Sequence, residues 1–111
     1  MQPIVFITGA SRGIGRATAK KFAKEGWQVA IHYHKAKEQA EELAEELRNS
    51  GCNAMVFQAD AAKGAEIREA IALAEKEMGP ISALVNNAGI MDDMSAVGDL
   101  TNEMLVGSNP K

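Results

Sequence analysis

The chain alternates short apolar runs with stretches in which apolar residues recur every third or fourth position. Ile4-Val5-Phe6-Ile7 is an unbroken β-favouring run, and it predicts a strand covered on both faces. Over residues 14–24 the pattern turns helical. Ile14, Thr18 and Phe22 fall four apart, Ala17, Ala19 and Ala23 stand beside them, and Gly26 supplies the stop. Val29-Ala30-Ile31-His32-Tyr33 predicts a second strand. Ala36, Ala40, Leu43 and Leu47 then mark an amphipathic helix that closes near Asn49-Ser50-Gly51, with Glu38, Glu41, Glu42, Glu45 and Glu46 as its solvent face. Residues 53–58 predict a third strand, carried by Met55, Val56 and Phe57. Ile67, Ile71, Ala74 and Met78 mark a third helix, stopped by Gly79-Pro80, and residues 81–85 hold a fourth apolar run.

Strands separated by helical crossovers run parallel, with right-handed connections. The order β-α-β-α-β-α-β is that of an α/β unit. After Gly89 the rhythm weakens: residues 91–98 read as a loop, and Thr101 is placed to cap a short helix through Glu103, Met104 and Leu105 before Gly107-Ser108-Asn109-Pro110. The 111 residues suffice for one domain. Twelve Lys+Arg against fifteen Asp+Glu leave a charge of −3, which offers no footprint for nucleic acid or an anionic membrane. No apolar run is long enough to span a bilayer, and Met1-Gln2-Pro3 does not resemble a signal peptide. Cys52 is the one cysteine, so no intramolecular disulfide or multi-cysteine metal site is expected, and a reducing, cytoplasmic setting follows.

Candidate chemistry starts at Thr8-Gly9-Ala10-Ser11-Arg12-Gly13-Ile14-Gly15, which joins the first strand to the first helix. The segment has the properties of a phosphate cradle. Gly9 suits a tight exit turn, Gly13 lets a diphosphate approach the backbone, and Gly15 lets the helix pack closely on the sheet. The N–H groups of the first helical turn then face the anion, aided by the helix dipole, and Ser11 adds a hydroxyl donor. The alternative is an ordinary turn that needs positive φ. The spacing is Gly9-x-x-x-Gly13-x-Gly15, not G-x-G-x-x-G, and no Gly-Lys-Ser/Thr follows to make a P-loop.

This segment resembles the cofactor signature of the short-chain dehydrogenases/reductases. The family's second signature, Asn-Asn-Ala-Gly, is matched by Asn86-Asn87-Ala88-Gly89 after the fourth apolar run. Asp60, directly after the third strand, resembles the family's adenine-contacting acid. The resemblance covers residues 3–90. It implies a Rossmann-like, doubly wound parallel sheet of strand order 3-2-1-4, with the ligand at the carboxyl ends of the strands. A diphosphate would sit on the turn of Gly9, Ser11, Gly13, Ile14 and Gly15. Asp60 would accept a hydrogen bond from the adenine amino group while the Ala61 backbone N–H donates to the ring; the alternative is that Asp60 caps the third helix. Asn87, Ala88 and Gly89 would line the ribose and central region, with Asn86 bracing the sheet.

An acid at the end of the second strand would favour NAD, and this chain has Tyr33-His34-Lys35 there. Arg12, His34 and Lys35 are therefore read as a pocket for a 2′-phosphate, hence NADP in preference to NAD. Alternatively His34 and Lys35 are a solvated helix start. The resemblance also implies a catalytic Tyr and Lys in a Tyr-x-x-x-Lys segment, a Ser and a relay Asn. None is assigned: the one tyrosine is Tyr33, and the surroundings of Asn109 do not look like a continuing helix.

Residues 1–90 are thus expected to form an NAD(P)-binding half, and residues 91–111 the start of a substrate loop and an aborted fourth helix. The chain is expected to stop before the fifth strand, leaving the fourth as an open edge. The parent activity would be NADP(H)-dependent hydride transfer between an alcohol and a carbonyl, on a 3-oxoacyl thioester, a sugar or another ketone, in a homo-oligomer, with this chain inactive alone. A non-catalytic dinucleotide-binding module or a gene remnant are the competing readings. Other residues receive plain readings. His32 and His34 are expected on opposite sides of the second strand, unable to share a metal; Cys52 lacks a base; Met91 and Met94 fit an adaptable substrate loop.

Overall fold

A computed structural model of the chain describes residues 2–10 and 13–87. Four strands alternate with three helices: β1 Ile4–Ile7, α1 Gly13–Lys24, β2 Gln28–Tyr33, α2 Lys37–Asn49, β3 Ala54–Gln58, α3 Gly64–Met78 and β4 Ala83–Val85. All pairings are parallel and the sheet order is β3-β2-β1-β4, as the resemblance implied.

β1 shows why a continuous apolar run was needed. It lies between β2 and β4, and its side chains alternate between two cores. Val5 and Ile7 join Val29, Ile31, Ala19 of α1 and Ala40, Leu43 and Leu47 of α2. Ile4 and Phe6 turn to the other face and pack with Ile67, Ala70, Ile71 and Ala74 of α3. A strand with helices on both faces has no solvent side, so every position is apolar and buried.

Two local expectations need correction, and a third gains a detail. In α1 the stripe Ile14–Thr18–Phe22 is not the buried one: Ile14 is 68% exposed, while Gly15 and Ala19 are buried. Small residues face the sheet there because the helix start runs close to the turn after β1. The apolar run 81–85 pairs as a strand only over Ala83–Val85; Ile81 is buried against the α3 side, and the Ser82 N–H donates to the Ile4 carbonyl at 2.8 Å. The glutamates of α2 are exposed, but Glu46 is also tied to α1. Its carboxylate accepts from Arg16 Nη2 and Lys20 Nζ, each at 3.0 Å. The Lys20 hydrogen bond is the main cause holding the Glu46 carboxyl below its ordinary range.

Candidate functional site

Parallel strands bring all four carboxyl ends to one edge of the sheet. Register aligns Ile7 with Ile31 and Val85, and Tyr33 with Gln58. The residues that follow those ends therefore meet: Thr8-Gly9-Ala10, His34-Lys35, Ala59-Asp60 and Asn86-Asn87.

The β1 turn is built by fixed contacts. Thr8 is fully buried and its N–H donates to the Val85 carbonyl at 3.0 Å. Gly9 takes φ +62°, a conformation that side-chain-bearing residues rarely adopt. Its carbonyl accepts from Asn87 Nδ2 at 2.9 Å, and its N–H donates to His32 Nδ1 at 3.0 Å. The Ala10 N–H donates to the His32 carbonyl at 3.2 Å. Gly15 is enclosed: a Cβ there would stand 2.7 Å from Asn87 Nδ2 and 2.8 Å from Ala10 Cα, and nearer still to the Gly9 carbonyl oxygen. Its reading as a close-packing glycine holds. Gly13, at φ +63°, faces open space instead.

The β3 end follows its own logic. Asp60 does not cap α3, whose N-cap position is Lys63 without a side-chain cap. Its Oδ1 instead accepts from the Ala62 N–H at 2.9 Å, an Asx turn, and its own N–H donates to Glu66 Oε1 at 2.8 Å. The hydrogen bond from the Ala62 N–H, helped by His34 when protonated and by the charges of Lys63 and Lys35, holds the Asp60 carboxyl below its ordinary range. His34 Nδ1 lies 3.9 Å from Asp60 Oδ1. Lys35 is exposed and Ala61 half-buried at the same edge.

The histidine expectation was wrong in its geometry. Residues two apart in a strand share a face, and both rings lie toward the β3 end: His32 Nε2 is 2.9 Å from the Ala59 carbonyl, and His34 stands by Asp60. His32 is 2% exposed, and burial is the main cause that lowers its pKa below the ordinary 6.5. Its part in the site was missed. The signal was a polar residue inside the run Val29-Ala30-Ile31-His32-Tyr33, where a buried ring must find partners. Asn86 is 4% exposed and is hydrogen-bonded or otherwise engaged, in keeping with a bracing residue. Ser11, Arg12, Ala88 and Gly89 lie outside the described residues, as do Met91, Met94, Thr101 and Asn109.

A hydrogen-bonded line thus runs Asn87–Gly9–His32–Ala59 across the strand ends in spatial order. Above it, α1 begins. Its first turn carries no acidic residue, so the positive end of the helix dipole faces the edge without a carboxylate from that turn. Ile14 presents an exposed apolar side chain on that same turn. A helix start with no carboxylate in its first turn, a glycine facing open space and the exposed Ile14 thus stand together at this edge.

Fold and edge together define a Rossmann-type nucleotide-binding unit, whose strand order reverses between β1 and β4. The chain belongs to the short-chain dehydrogenase family, whose model matches residues 3–106. It is 43% identical over 93 residues to 3-oxoacyl-[acyl-carrier-protein] reductase FabG of Staphylococcus epidermidis, and the match covers 84% of this chain and 38% of that protein. It is 38% identical over 102 residues to the uncharacterized oxidoreductase YgfF of Escherichia coli K12, covering 92% and 41%. The chain therefore spans 38% to 41% of the length of these relatives. Among solved structures, a blue fluorescent protein from a metagenomic library in complex with NADPH superposes with a TM-score of 0.76 at 42% identity, covering 79% of this chain and 36% of that one. FolM alternative dihydrofolate reductase 1 of Brucella suis in complex with NADP gives 0.71 at 38% identity, covering 77% and 35%.

Proposed function

We propose that these residues form the cofactor-binding half of a short-chain reductase that takes NADP in preference to NAD. The carrying observation is the line of contacts Asn87–Gly9–His32–Ala59, which brings the glycine turn and the β4 and β3 ends to one edge. The diphosphate would lie on Gly9, Ser11, Gly13, Ile14 and Gly15, where α1 begins. The adenine would lie between Asp60, Ala61 and His34, and Asn87, Ala88 and Gly89 would border the ribose.

The 2′-phosphate assignment rests on what stands after β2: His34 and Lys35, with no acid to repel a second phosphate. Arg12 adds a planar donor suited to a phosphate dianion. The neighbours solved with NADPH and NADP support the same preference. The bound cofactor would supply hydride; this chain's residues bind and orient it.

Catalysis itself is assigned to none of these 111 residues. Tyr33, the one tyrosine, is 8% exposed inside β2 and packed in the core with Val5, Ile7 and Leu43, so it cannot reach a substrate carbonyl. This favours a binding half without turnover of its own over a complete enzyme. In a longer protein the substrate would be a carbonyl compound, and the similarity to a 3-oxoacyl reductase favours a 3-oxoacyl thioester over a sugar. Titration of the chain with NADPH and NADH, alone and as Arg12→Ala, tests the reading. NADPH is expected to bind more tightly, and Arg12→Ala to weaken it at least about tenfold, as for a lost charge-assisted pair of roughly 1.5–3 kcal/mol. Equal affinities that ignore the substitution would overturn it, and carbonyl reduction by the pure chain would overturn the non-catalytic assignment.

A further inference from the structure

We propose that His32 is the positioning residue of the glycine turn: a neutral imidazole that holds the Gly9 amide through Nδ1 and the Ala59 carbonyl through Nε2–H, so that the turn keeps its shape only while the ring is uncharged. The proposal rests on the reading of that turn as the diphosphate site, and names a control on it.

The argument begins with donors and acceptors. The Gly9 N–H, 3.0 Å from Nδ1, can only donate, so Nδ1 must carry a lone pair. The Ala59 carbonyl, 2.9 Å from Nε2, can only accept, so Nε2 must carry the proton. Both partners together permit a single tautomer. Protonation would put a second N–H against the Gly9 N–H and leave that amide without its acceptor.

Gly9 is where such a loss would be felt. Its carbonyl is held from the other side by Asn87 Nδ2 at 2.9 Å, and the next amide, Ala10, is held by the His32 carbonyl. The residue at φ +62° is thus gripped on both sides, and the β2 grip comes from one residue, through its side chain and its backbone. The α1 amides that would face a phosphate continue from this turn. Loosening Gly9 would misplace them without removing any of them.

The surroundings favour the neutral ring. From β1 the Phe6 ring lies stacked at 6.4 Å, and from the β3 end comes the Ala59 carbonyl. The titratable groups near it are His34 on its own strand end, which in protonated form opposes a second charge, and beyond Ala59 the carboxylate of Asp60, which is turned to the Ala62 amide and His34. Burial adds the larger opposition to charge. Because the folded pKa lies below the unfolded one, the folded chain holds fewer protons between the two. Stability is therefore complete above the ordinary imidazole value of 6.5 and falls as pH drops below it toward the folded pKa. Cofactor affinity depends on the ring in the folded chain, so it should hold further into acid and fall only where the native His32 takes its proton, at its lowered pKa.

Nitrogen-15 NMR of the full chain, across the imidazole range of about pH 5 to 8, tests the contact directly. The His32 ring is expected as the Nε2–H tautomer at neutral pH, and the Gly9 amide resonance should shift in step with ring protonation. An Nδ1–H tautomer, or a Gly9 amide indifferent to the ring, overturns the proposal. NADPH titration then tests the consequence. His32→Gln, which offers one acceptor and one donor, should retain binding and lose the acid-side decline. His32→Leu should weaken binding about fivefold at neutral pH, the worth of one hydrogen bond. Wild-type affinity in His32→Leu overturns the positioning role. Should that variant not fold, the wild-type tautomer and Gly9 shift still decide the matter. Should the wild type bind no NADPH while both NMR signatures appear, the cofactor reading fails and the His32–Gly9 contact stands.

Discussion

The site depends on a few atoms around Gly9, and the three glycines of its turn carry three different burdens. Gly9 needs its left-handed backbone, Gly13 needs the same and stands in open space, and Gly15 needs room. Alanine separates the last two. Gly13→Ala adds a methyl that touches nothing, so its penalty is the left-handed backbone alone, about 1–2 kcal/mol. Gly15→Ala forces its methyl into the Gly9 carbonyl, the Ala10 backbone and the Asn87 amide, so overpacking costs about 1–3 kcal/mol and pushes the turn and β4 end apart. Chemical denaturation should show both losses. NADPH titration should show that Gly15→Ala also breaks the Asn87–Gly9 bond, while Gly13→Ala leaves it in place. The glycine spacing was legible in the sequence because backbone freedom belongs to the residue itself. The role of His32 was not, since its partners lie 23 and 27 positions away and no local pattern joins them. Asp60 was legible as a residue of the β3 end, but not its turn onto Ala62, which depends on the backbone after the strand.

At the level of elements, periodicity located all seven, and its error in α1 has a physical cause. The α1 stripe was assigned to Ile14, Thr18 and Phe22 because large residues usually mark the buried side of a helix. Here the helix starts against the turn, and the buried side goes to Gly15 and Ala19. Close approach selects small residues, which a search for large apolar ones passes over. α2 and α3 pack farther along the sheet and obey the ordinary rule: Ala40, Leu43 and Leu47 are buried on one face of the sheet, Ile67 and Ile71 on the other. Truncating a large residue on either face should therefore be costly. Leu43→Ala and Ile67→Ala, both at fully buried positions, are each expected to lose about 2–5 kcal/mol in urea unfolding. They should add when combined, because the sheet separates the two clusters. A double variant well away from the sum would mean that the cores communicate through the strands. The exposed Arg16–Glu46–Lys20 contact between α1 and α2 should matter much less, and screening by salt should erase its effect.

For the molecule as a whole, one geometric fact joins fold to site. A parallel sheet places every strand end on the same edge, so residues scattered over the chain from Gly9 to Asn87 become neighbours without any helix or loop folded for that purpose. The parallel arrangement followed from alternation of strand and helix, but the order β3-β2-β1-β4 did not. It came from the three motifs, because a crossover direction leaves no trace in apolar spacing. A ligand resting on that edge adds contacts to strand ends already joined by the Asn87–Gly9–His32–Ala59 line, so binding should tighten the whole sheet. Binding to the folded state alone raises unfolding free energy by about 2.7 kcal/mol when ligand stands at a hundred times its dissociation constant. Thermal unfolding of the chain with NADPH at such an excess should show a gain of this size, with NADH at the same concentration giving less. The same gain in Gly15→Ala would place the ligand elsewhere, since the turn it is proposed to grip would already have been pushed from Asn87. A gain confined to the wild type, and lost as pH falls below the imidazole range, would instead join the diphosphate site, the Asn87 contact and the His32 grip in one cooperative unit.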